Sequence, residues 1–210
     1  MGEHLGIVEI LGIAGSVSLL SGWRLYLTAL ATGLAMYFSV LPLPEHLKAL
    51  QILANPWVMG VAGTAAFMEF FADKIAWIDS VWDTVHTFIR PLGGALLTLA
   101  VVDPGDPATQ AIAFILGGGG SLLAHGGKAS ARAVVNTSPE PFSNIAVSAV
   151  EDVATTGLLY LAYTNPVAAG VVAVVLLVLA IGLMIMAWRV LRRIFLRVQP
   201  EPVPPLPGPP

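Results

Sequence analysis

The chain has 210 residues, 56% of them hydrophobic and only 11% charged, with a net charge of -3 and a mean hydropathy of +0.81. Soluble domains carry about a quarter charged residues, so the composition reads as an integral membrane protein, and no basic patch is present to bind nucleic acid. Cysteine is absent, which excludes disulfides, thiolate-bound zinc and iron–sulfur clusters and leaves oxygen and imidazole as the available metal ligands.

The N-terminus Met-Gly-Glu-His has neither the basic region nor the cleavage site of a signal peptide, so the first apolar segment is expected to stay in the mature protein. Leu5 to Leu20 is apolar, rich in small residues and short for a span of about 20 residues. Ser21-Gly22-Trp23-Arg24 interrupts it before the apolar run resumes from Leu25 to Leu41. Two spans joined by a loop would give this pattern. We favour a broken or re-entrant segment that holds Arg24 within the membrane against protein, where irregular backbone is tolerated. Pro42 to Gln51 reads as a polar loop, and Pro56 is expected near the start of the next helix, where its missing N–H is harmless.

Ile52 to Ala72 reads as a span that ends in acids, with Glu69 and Asp73 four residues apart. From Ile75 to Ile89 apolar residues recur every three or four positions, the period of an amphipathic helix. Asp79, Asp83, His86 and Arg90 form its polar ridge, and the plainest expectation is a helix in the membrane interface with its charges in water. Glu69 is different, because an acid after an apolar run lies at membrane depth, where ionisable groups are costly and mark function. Pro91-Leu-Gly-Gly is expected to bend or restart the chain before Ala95 to Val102, and Asp103-Pro-Gly-Asp106-Pro forms a turn near the middle.

In the second half, Ala108 to Leu123 is apolar, and His125-Gly126-Gly127-Lys128 interrupts it as Ser-Gly-Trp-Arg does in the first. A phosphate loop is excluded there, since Leu122 and Ala129 occupy the positions that need Gly and Ser or Thr. The Asn136-Thr-Ser138 sequon carries no weight, because so short a pattern arises by chance. Glu151 and Asp152 sit on the helix that follows Pro141. Val167 to Trp188 is the clearest span, 22 residues without a charge, and Arg189, Arg192, Arg193 and Arg197 after it predict a cytoplasmic C-terminus. Gln199 to Pro210 is a Pro-rich tail expected to be disordered.

Gly15 to Arg24 and Gly118 to Lys128 echo each other through Ser-Leu-Leu, a Gly and a cation two residues later. Pro-aromatic pairs and acidic helices follow in both halves. The echo predicts two repeats, residues 1–103 and 104–198, with the tail as 199–210, and broken helices at matching positions would place a binding site between them. In that arrangement Arg24, Lys128 and Arg132 meet Glu69, Asp73, Glu151 and Asp152 in one central layer, since buried charges need partners. A second and weaker grouping, Asp79, Asp83 and His86, would suit a divalent cation.

Ser21-Gly22-x-Arg24, Ala72-Asp73-Lys74, Trp82-Asp83 with His86, Ala124-His125 with Lys128, and Asn136-Thr-Ser-Pro-Glu-Pro with Ser143-Asn144 and Glu151-Asp152 resemble a family of bacterial integral membrane proteins known only as a domain of unknown function. The resemblance covers nearly the whole chain except the tail. It implies a bacterial inner-membrane protein and no activity.

The expected fold is all-α and polytopic, with about five or six transmembrane or re-entrant helices plus the interfacial helix. The leading functional expectation is a transporter or channel for an ion, a proton or a small charged solute. The alternative is a non-catalytic subunit of a larger membrane complex. An enzyme is disfavoured, because no HExxH pattern and no Ser-His-Asp order is readable. Expected partners are membrane lipids and either further copies of the chain or a larger complex.

Overall fold

A computed structural model describes residues 6–39, 45–102, 105–136 and 142–197. The Asp103-Pro104 turn, most of the Asn-Thr-Ser-Pro-Glu-Pro motif with its sequon, the first part of the Pro42 to Gln51 loop and the Pro-rich tail lie outside these residues. The described chain is helical throughout: α1 (Ile7–Tyr37), a 3₁₀ segment (Glu45–Ala54), α2 (Pro56–Ala72), α3 (Ala76–Leu99), α4 (Pro107–Val135), α5 (Phe142–Thr164) and α6 (Pro166–Arg197).

Three helices begin the same way. Asn55, Asp106 and Asn165 each precede a proline, and each side-chain oxygen accepts a hydrogen bond from a backbone N–H of the first turn. The proline takes the first helical position, where no donor is needed. At Asp106 these bonds, led by that of the Thr109 hydroxyl, hold the exposed carboxyl below its ordinary range.

α1, α4, α5 and α6 are each long and apolar enough to cross a membrane, so the protein is a polytopic helical membrane protein. α1 is not one straight span. Arg24 has φ -143° and ψ 69°, outside the helical region, and the chain reverses there. Beyond the break Thr32 reaches the Tyr163 hydroxyl at the far end of α5 (3.0 Å), while Arg24 itself meets Ser148 near the start of that helix (3.0 Å). Gly12, before the break, packs on Pro166 beside that far end of α5, so the two arms of α1 fold back on each other. α1 is thus a hairpin with Arg24 at its tip, a helix broken at the Ser-Gly-Trp-Arg interruption.

α3 departs from expectation twice. It runs unbroken through Pro91 to Leu99, so no separate segment starts at Ala95. Nor does it lie apart with its charges in water. It packs along α4, with Asp79 at Asn136, Thr87 at His125 and Ser121 donating to the Arg90 carbonyl. Asp79, Asp83, His86 and Arg90 are buried, whereas Trp77, Val81, Val85 and Phe88 are exposed. In lipid the apolar face turns outward, and the charged ridge turns inward to find partners.

α4 also differs, continuing without a break past His125 and Lys128. Its glycines serve close packing. A Cβ on Gly22 of α1 would strike the Ser121 carbonyl of α4, and one on Gly127 would strike Ala180 of α6. Leu19, Leu20, Ala124, Leu158, Leu159, Ala162, Ala169 and Ala173 complete the core between α1, α4, α5 and α6. Exposed Tyr37 and Trp57 stand at one end of the bundle and exposed Trp77 and Trp188 at the other, the placement of interfacial aromatic belts.

Candidate functional site

Two ionic networks sit inside the bundle. The first gathers on Asp73, in the short connection between α2 and α3. Its Oδ2 receives Arg24 Nη1, Lys128 Nζ (3.1 Å) and Arg132 Nη2 (3.4 Å). Glu151 Oε2 shares the same cations, lying 2.8 Å from Arg132, 3.4 Å from Arg24 and 3.7 Å from Lys128. Asp152 Oδ1 pairs with Arg24 Nε at 3.1 Å, an ion pair without hydrogen-bond alignment. The break in α1 belongs to this network, because the Trp23 and Arg24 carbonyls are taken by Lys128 Nζ (3.3 Å) and the Thr28 hydroxyl (2.8 Å). Three bases thus face three acids, and a buried network of this kind persists only if its members are paired.

The second network centres on Arg90, which is fully buried. Its Nη2 donates to Glu69 Oε1 at 2.6 Å, and its Nη1 donates to Asp83 Oδ1 at 2.9 Å and to His125 Nδ1 at 2.6 Å. Since a guanidinium only donates, Nδ1 of His125 is unprotonated, and its Nε2–H is left to donate to the Asp83 carbonyl (3.1 Å). His86 is held otherwise. Its Nδ1–H donates to the Trp82 carbonyl (2.7 Å) and its Nε2 accepts from the Tyr26 hydroxyl (3.0 Å).

The single layer expected from the sequence is therefore divided. Arg24, Asp73, Lys128, Arg132, Glu151 and Asp152 come together, while Glu69 leaves that group for Arg90. Asp79, Asp83 and His86 do not converge: Asp79 faces Asn136, Asp83 faces Arg90, and His86 stacks on Trp82. Among the described residues no three His, Asp or Glu side chains are gathered to hold a metal ion. The expected divalent site is thus not assembled, because α3 turns His86 towards Tyr26 of α1. Arg90 and His125 are the residues that sequence reasoning left out of the site, although the one-face spacing from Asp79 to Arg90 was a signal for the first.

Between the networks and the outside lies a cleft of about 210 Å³, walled by Asp79, Asp83, Thr84, Thr87, Arg132 and Asn136 among others. Residues 11–186 match the family described as Domain of unknown function (DUF4126). The chain belongs to that family. No curated protein and no solved structure matches it. Every member of the two networks and the cleft of this DUF4126 protein falls inside the matched stretch, while the arginines from Arg189 onward fall outside it.

Several carboxylate oxygens are left over among these networks and in the cleft wall: Glu69 Oε2, Asp73 Oδ1 and Asp79 Oδ1 are buried without a hydrogen-bond donor. They can accept a proton, a water or a cation without any existing pair being broken.

Proposed function

We propose that the protein is a small transporter or channel in which the two buried networks handle an ion. The observation that carries this reading is a cleft running from the bundle surface to Asp83 and Arg132, which belong to different networks. Simple structural pairing needs no such access. The helix break at Arg24 supports the reading as well, since broken helices are where membrane carriers bring charge to a solute. By the excess of arginine after Val167 to Trp188, the cleft opens on the cytoplasmic side of a bacterial inner membrane. The two echoing segments of α1 and α4 pack directly on each other at Gly22, which supports a two-part organisation around that contact.

The test is ion flux in proteoliposomes, compared for wild type, Glu69→Gln and Asp152→Asn at equal amounts of folded protein. Flux above protein-free vesicles, lost in both variants, is the expected result. Equal flux in all three would sink the proposal.

A further inference from the structure

Asp79 stands apart from the other buried acids. It is fully buried, its Oδ2 accepts from Asn136 Nδ2 at 3.0 Å, its Oδ1 meets no donor, and the residue forms part of the cleft wall. A buried carboxylate in this state is costly unless a positive charge comes to it. The nearest guanidinium in the wall, Arg132, is already committed, since each of its nitrogens donates to Asp73, Asn144 or Glu151. An anion entering the cleft therefore finds no free guanidinium donor there. A cation finds a carboxylate oxygen.

We infer that the cleft binds one monovalent metal cation with part of its water shell, docked on the Asp79 carboxylate. Size and charge both enter the argument. A water takes about 30 Å³, so a cleft of about 210 Å³ holds an ion with several waters, more room than a bare proton requires. The hydroxyl of Thr84 donates to the Ser80 carbonyl, which leaves its oxygen lone pairs for the ion or its waters, whereas Thr87 donates to the Asp83 carbonyl and is met by His125 Nε2 at 3.1 Å. A divalent ion is disfavoured, because Asp83 is shared with Arg90, Arg132 adds a like charge to the wall, and calcium sites use several carboxylates together.

The inference deepens the transport reading and rests on it for its physiological meaning, but binding can be measured without flux. Thermal stability of the purified full chain would be followed in sodium, potassium and lithium chloride, with choline chloride at the same ionic strength as reference. Equilibrium binding of radiolabelled sodium would be measured in parallel. A ligand that binds only the folded protein raises its stability, so wild type should be stabilised by one or more of the metal cations over choline. Asp79→Asn should weaken that effect about tenfold or more, the loss expected for one charged contact. Thr84→Val, at an exposed position that leaves the packing intact, should weaken it by a smaller factor and keeps the site testable if the first variant does not fold. No difference between metal cations and choline in wild type overturns the inference, as does undiminished binding in Asp79→Asn or in Thr84→Val. Cation binding that depends on Asp79 without flux keeps the inference and removes the transport reading. Flux that survives in Asp79→Asn together with undiminished cation binding does the reverse.

Discussion

Arg90 shows what a single buried cation does in this protein. It holds Glu69 of α2, Asp83 of its own helix and His125 of α4 at once. Removing it leaves two carboxylates without their cation, and breaking a buried pair in this way costs about 3–5 kcal/mol. Arg90→Gln should therefore be strongly destabilising, and adding Glu69→Gln should recover part of the loss. The coupling expected between the two substitutions is about 1–3 kcal/mol, read from unfolding free energies of the four proteins in mixed detergent. Additive losses would show that the 2.6 Å contact between them contributes little.

At the scale of elements, the packing of α1 on α4 depends on the absence of side chains. Gly22 faces the Ser121 carbonyl and Ala124, so Gly22→Ala must push two helices apart at the level of the first network. Such overpacking costs about 1–3 kcal/mol. Gly60 of α2 has nothing within reach of an added Cβ, and Gly60→Ala should be neutral or stabilising by up to ~1 kcal/mol through helix propensity. Melting temperatures of the two variants against wild type check the contrast. α3 teaches a related point. Its period was legible, and so was its polar ridge, yet the direction of that ridge was not. In water the charged face of an amphipathic helix points out; against lipid the apolar face does so, and the same sequence pattern serves both.

For the whole molecule, the reversal at Arg24 sets the topology. Both ends of α1 belong to the same end of the bundle, because Gly12 packs on Pro166, and Gly33 on Leu53, whose cluster includes Ile13 and Val17. Val134, near the end of α4, belongs to the opposite end. The chain has no cysteine, so single cysteines can be placed at the exposed positions Val8, Tyr37 and Val134 without background labelling. An impermeant maleimide should reach the first two from one side of the membrane and the third from the other. Labelling of Val8→Cys and Tyr37→Cys from opposite sides would mean that α1 crosses as a straight span.

Composition alone determined that the chain enters a membrane, since 56% hydrophobic and 11% charged residues leave no other solvent for it. The Asn-Pro at the start of α2 and the Ser-Gly-Trp-Arg break in α1 were local signals, readable because capping and helix interruption depend on a few neighbouring residues. The sequence also required that so many acids and bases at depth be paired. Which acid met which base was decided only by tertiary structure. Glu69 went to Arg90 rather than to Arg24, Lys128 ran through an unbroken α4, and His86 left Asp79 and Asp83 for Tyr26. Pairing depends on how helices distant in sequence are rotated and staggered against one another, and helical period fixes the face a residue shares but not the partner that face will meet.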